Sequence, residues 1–103
     1  MKKVPGFYQS FMDSFPQIGK AYSDLGKATR EAGPLDAQTL SLVKLGISVG
    51  MHQEGSVHSS ARKAMEAGCT PEEIRHVVLL STTTLGFPNM MAARSWVEDV
   101  LQD

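Results

Sequence analysis

The chain has 103 residues, 42% hydrophobic and 20% charged, with a formal net charge of −1. That length supports one domain, residues 1–103, and that balance describes an ordinary folded chain rather than a disordered one. Near-neutral charge gives no electrostatic case for nucleic acid or an anionic membrane surface, and no apolar run approaches the ~20 residues that span a bilayer.

After Met1-Lys2-Lys3, the stretch Val4-Pro5-Gly6-Phe7-Tyr8-Gln9 is no continuous apolar signal region, so a cytoplasmic location is expected. Cys69 is the single cysteine. It excludes an intramolecular disulfide, a Cys-x-x-Cys redox pair and the cysteine-rich zinc sites.

The elements read as helix after helix. Phe7, Phe11 and Phe15 recur every fourth residue and predict an aromatic ridge, which Pro16 interrupts or restarts. Phe15, Ile18, Tyr22, Leu25 and Thr29 mark one face of a second helix, and Ala32-Gly33-Pro34 stops it. Asp36 is the expected N-cap of a third helix running to about Met51. A fourth spans roughly Glu54 to Ala67, with Gly68 as its C-terminal cap. Thr70-Pro71-Glu72-Glu73 then reads as a capping box, with Pro at the first helical position and Glu at the third. Helix five is expected through Ile74, Val77, Val78 and Leu85, although Thr82-Thr83-Thr84 is a weak helix former. Gly86-Phe87-Pro88-Asn89 breaks the chain, and Met90, Ala93, Trp96, Val97, Val100 and Leu101 form the apolar face of the last helix. The fold class is all-α, with about six helices.

The third helix carries Leu40, Leu42, Val43, Leu45, Ile47 and Val49 around most of its surface, which predicts the buried centre of the fold. Gly46 and Gly50 on it suggest close helix approach. A chain this short cannot bury such a helix alone, so homo-oligomerisation is expected.

Three segments carry a family resemblance: residues 33–39 (Gly-Pro-Leu-Asp-Ala-Gln-Thr), 64–74 (Ala-Met-Glu-Ala-Gly-Cys-Thr-Pro-Glu-Glu-Ile) and 86–88 (Gly-Phe-Pro). In order and spacing they resemble the carboxymuconolactone decarboxylase and alkylhydroperoxidase D-like superfamily. The resemblance implies an all-α domain with a helical hairpin around the active site, assembled as trimers or hexamers; a hexamer is expected here. Peroxidases of that superfamily use Glu, Cys-x-x-Cys and His as a proton relay. Aligned on Gly68 and the capping box, the His position falls on Ser60, the second Cys on Ser56, the first Cys on Gln53 and the Glu on Ser41. The decarboxylase branch keeps His at the Ser60 position and Glu at the Ser56 position, and this chain departs from that pattern too.

Helical phase sorts the remaining polar groups. Val57, Ala61, Ala64 and Met65 define the apolar face of helix four, with Gln53, Ser56 and Ser60 on one edge and Glu54, His58 and Arg62 on the other. The second edge reads as a surface ladder of charges pointing to solvent or a subunit interface. On helix three, Ser41, Lys44, Ser48 and His52 share a polar stripe that faces the serine edge if the helices pack as in the superfamily. Lys44, His52 and Ser60 are therefore the expected catalytic groups, and Ser41, Ser48, Gln53 and Ser56 the expected substrate-binding ones. Near neutral pH, a Lys or His beside apolar walls serves as acid or base. His52, Glu54, His58 and His76 have no metal-ligand spacing, so neither a metal nor another cofactor is expected. Cys69 lies just before a helix N-terminus, where a thiolate is favoured, but it reads as an ordinary turn residue.

The leading expectation is a small homo-oligomeric protein with a non-thiol pocket for a carboxylate or lactone-like molecule. Any reaction there is acid–base, of a decarboxylase or lyase kind. A non-catalytic binding or assembly module is the alternative. A thiol peroxidase or disulfide reductase is disfavoured by the missing second cysteine.

Overall fold

The computed structural model describes residues 6–101. Among them are seven helical segments and no strand, and the chain forms two compact units that divide between Leu35 and Asp36. Six of the helices have nine residues or more; the seventh is a four-residue turn.

The first unit is the hairpin of α1 (Gly6–Ser14) and α2 (Pro16–Glu31). Pro16 occupies the first turn of α2, where its missing N–H costs nothing. Phe15 is the linking residue outside both helices, yet its N–H bonds to the Phe11 carbonyl at 3.0 Å and its ring lies 5.3 Å from that of Phe11. The two helices meet at Gly19, where an added Cβ would lie 2.6 Å from Met12 Sδ.

The second unit holds α3 (Ala37–Met51), α4 (Glu54–Glu66), α5 (Pro71–Leu80), α6 (Thr82–Leu85) and α7 (Phe87–Leu101). Its core is built from Leu45 and Val49 of α3, Val57, Ala61 and Ala64 of α4, Ile74 and Val78 of α5, and Ala93 and Val97 of α7. α4 packs against both α3 and α7, while α5 packs against the same two helices.

Local chemistry sets the boundaries. Asp36 Oδ1 accepts the Thr39 N–H at 2.9 Å and caps α3, and the bonds from the Thr39 backbone and side chain lower the Asp36 carboxyl pKa. Thr70 Oγ1 accepts the Glu73 N–H at 3.1 Å, and Glu73 Oε1 accepts the Thr70 N–H at 2.8 Å, closing the expected capping box. Gly68 is doubly constrained: its φ is +96°, and a Cβ there would sit 2.9 Å from Gln38 Nε2.

Three expectations need correction. Helix five ends at Leu80 rather than Leu85, because Ser81 Oγ and Thr82 Oγ1 donate to the carbonyls of Val78 and Leu79 and turn the chain. The following break is narrower than predicted, since α7 already begins at Phe87 and takes Pro88 into its first turn. α3, as expected for a chain this short, is not fully enclosed within it. Leu45 and Val49 are buried, yet Val43, Ile47 and Met51 are 47%, 58% and 55% exposed. Gly46 and Gly50 are not close-approach points: a Cβ at Gly46 makes only an ordinary 3.8 Å contact with Val77, and one at Gly50 meets nothing within 4 Å.

Thr70→Ala is expected to cost about 1 kcal/mol of unfolding free energy through loss of the cap. Ile74→Ala, one turn further on in the core, is expected to cost about 2–5 kcal/mol. Urea denaturation of both variants checks the two values; no loss in Thr70→Ala would mean the cap is not what starts α5.

Candidate functional site

The site starts from a hydroxyl that has left water. Ser48 is 6% exposed, on the face of α3 that meets α4. Ser56 and Ser60 lie one helical turn apart on α4 and straddle it. Ser56 Oγ donates to Ser48 Oγ at 2.8 Å, and Ser48 Oγ and Ser60 Oγ are 2.7 Å apart. Each hydroxyl has one proton and two acceptor lone pairs. If Ser48 donates its O–H to Ser60, the chain runs Ser56 to Ser48 to Ser60 and leaves the Ser60 O–H as a donor for a further oxygen. Among the described residues no buried side-chain nitrogen or oxygen lacks a hydrogen-bond partner.

The other sequence-predicted residues are placed less closely. Lys44 and His52 sit one turn to either side of Ser48 on α3, and both are exposed. His52 ends α3 in a left-handed conformation at φ 56°, with its ring 5.0 Å from that of Trp96. Ser41 is half-buried, and Gln53 is exposed at the start of α4 without a side-chain capping bond. The structure thus brings together Ser48, Ser56 and Ser60.

The opposite edge of α4 keeps the expected Glu54–His58 pair and adds a partner from α7. His58 Nε2 lies 3.0 Å from Asp99 Oδ2 of α7 and 3.9 Å from Glu54 Oε2. The His58 side chain is 24% exposed, while Glu54 on the same edge is 58% exposed. Asp99 escaped the sequence reading because it stands 41 residues from its partner. Nearby, Arg75 of α5 grips Glu98 of α7 with two bonds of 2.7 and 3.0 Å. That carboxylate raises the already high Arg75 pKa.

Cys69 is 4% exposed, and its thiol donates to the Gln38 carbonyl at 3.6 Å. Burial pushes its pKa above the ordinary value, and the charges of Glu73 and Asp36 add to the shift. An open cavity of about 310 Å³ lies elsewhere, between α5 and α7, lined by Glu72, Arg75, His76 and Arg94 around Val78, Leu79 and Met90. None of the sequence-predicted site residues line it.

The hydroxyl cluster, the α3–α4 hairpin that holds it and the capped turn into α5 all lie within residues 16–99. Over that span the chain matches the profile of the carboxymuconolactone decarboxylase family. The chain belongs to this family. No curated protein and no solved structure matches it. By the resemblance set out above, Ser56 and Ser60 stand where relatives of the peroxidase kind place a thiol and an imidazole. In this member of the carboxymuconolactone decarboxylase family those two side chains are hydrogen-bonded to one buried serine.

Native Cys69 should alkylate slowly at neutral pH and rapidly once the chain is unfolded. Its raised folded pKa also has a stability consequence. Below the ordinary value of 9.0 both states keep the proton and the contribution is complete. Above it the unfolded chain loses its proton first, so stability falls as pH rises towards the folded value. Denaturation between pH 8 and 10 should show wild type losing ground to Cys69→Ala. Parallel curves would contradict the shift.

Proposed function

We propose that this protein is a self-assembling, non-thiol member of the carboxymuconolactone decarboxylase family, binding a small carboxylate or lactone-like molecule at the Ser48–Ser56–Ser60 cluster. The observation that carries the reading is the three-hydroxyl chain across α3 and α4. With Ser48 donating to Ser60, the Ser60 hydroxyl is left to donate to a carbonyl or carboxylate oxygen. Lys44 supplies an amine one turn from Ser48, and His52 supplies an imidazole one turn to the other side. In this reading Ser60 orients the ligand oxygen, Ser41 and Gln53 complete the polar lining, and Lys44 and His52 are the acid–base groups. Cys69, buried and single, takes no part, and a dithiol relay has no second thiol within the chain.

Self-assembly is supported by apolar side chains left uncovered. Val43, Ile47 and Met51 recur every fourth residue along α3 and are about half exposed, and Leu79 and Leu80 on α5 are 58% and 62% exposed. Side chains of this kind are what an isologous contact between copies covers. A homo-hexamer acting in the cytoplasm is the proposed state. The same exposed α3 face also favours a second reading, a purely structural assembly module, because Lys44 and His52 both stand exposed rather than enclosed in a pocket.

Titration with small aromatic and aliphatic carboxylates, followed by amide chemical shifts, separates these readings. Shifts centred on Ser48, Ser56 and Ser60, weakened about tenfold in Ser60→Ala, are expected for the binding protein. Shifts confined to the α5–α7 cavity would sink this choice of site. Sedimentation is expected to show an assembly at micromolar concentration that Ile47→Glu disrupts; a stable wild-type monomer would end the oligomer proposal.

A further inference from the structure

Glu54, His58 and Asp99 place one nitrogen and two carboxylate oxygens within 4.8 Å of one another, on the edge of α4 away from the serines. We propose that these three residues form a binding site for a divalent transition-metal ion of the Zn2+ type. The inference is independent of the serine site and of any ligand bound there.

The geometry of the imidazole is the starting point. A single N–H at His58 Nε2 can be donated well to Asp99 Oδ2, 3.0 Å away, but Glu54 Oε2 at 3.9 Å is then left beyond hydrogen-bond range. Two carboxylates consequently converge on one ring atom that a proton serves only once. A divalent ion removes this mismatch by taking all three donors and offsetting both negative charges. Nitrogen and oxygen ligands at about 2.0–2.2 Å from Zn2+ stand roughly 3–4 Å from one another, so the donors need to close only slightly. One imidazole with two carboxylates also suits a transition ion better than Mg2+ or Ca2+, which prefer all-oxygen shells.

The frame is already built. Glu54 and His58 are one turn apart on α4, and Asp99 comes from α7, whose Ala93 and Val97 belong to the same buried core as Val57 and Ala61. Arg62 continues the edge one turn beyond His58, and two carboxylates against one guanidinium keep it net negative. Glu54 and Asp99 side chains are 58% and 62% exposed, so an ion has a path in and further coordination positions open to water. Coordination uses the Nε2 lone pair, with the ring N–H then on Nδ1.

The test is calorimetric titration of the full-length, chelator-treated protein with Zn2+, alongside visible absorption of its Co2+ complex. One ion per chain is expected, with affinity lowered at least about tenfold in His58→Ala and in Asp99→Asn. Glu54→Gln, at an exposed helix start, keeps the fold and should weaken Zn2+ in the same way. His76→Ala, an exposed imidazole elsewhere, should leave binding unchanged. The proposal is overturned if Zn2+ fails to bind at millimolar concentration. It is equally overturned if Glu54→Gln and His58→Ala bind like wild type, or if His76→Ala or His52→Ala abolishes binding instead.

Discussion

The seating of α4 between α3 and α7 governs the arrangement of everything chemical in this protein. Val57, Ala61 and Ala64 are fully buried, and this small-residue ridge lets the flanking helices come close. Once that ridge is committed to the core, the 100° step of the helix leaves no freedom to its edges. Ser56 and Ser60 must face α3, and Glu54 and His58 must face α7. One apolar decision therefore creates two polar clusters of different character. The first consists of hydroxyls closed on one another around a buried oxygen. The second consists of charges drawn together across two helices.

The two clusters suit different chemistry for a simple electrostatic reason. Serine hydroxyls are neutral at any ordinary pH, so burying Ser48 requires only that its hydrogen bonds be met, which Ser56 and Ser60 do. A carboxylate pair cannot be buried so cheaply, and accordingly Glu54 and Asp99 remain largely exposed with the imidazole between them. Cys69 shows the same rule from the other side. Enclosed by apolar neighbours and two acidic charges, its sulfur is held as the neutral thiol and not as a nucleophile.

Much of the fold was legible in the sequence because its signals are local. The capping box at Thr70, the cap at Asp36 and the glycine stop at Gly68 depend on residues within a turn of one another. Ser56 and Ser60 could be placed on one edge of α4, and Ser48 on one stripe of α3, from helical phase; that the two face each other was implied by the family resemblance. Chain length made it legible that α3 could not be covered by this chain alone, but which flank stays open was not legible. Apolar residues around the whole helix signal burial without saying which face the chain itself covers. The early end of α5 was missed because hydroxyl-to-carbonyl bonds from Ser81 and Thr82 compete with the helix by fractions of a kcal/mol.

Sequence by itself determined the all-α class, the family, the principal caps and the sorting of α4 into two edges, since each follows from spacing along one helix or one turn. Only the tertiary structure decided which of those groups meet. Ser48 becomes the shared partner of two serines, His52 is turned towards Trp96, and Lys44 stays exposed, all through the way α3 settles on its neighbours. Asp99 reaches His58 because α7 returns across α4, closing a contact between residues 41 apart. Such a contact is set by the packing of buried surfaces far from the polar atoms themselves, and periodicity carries no record of it.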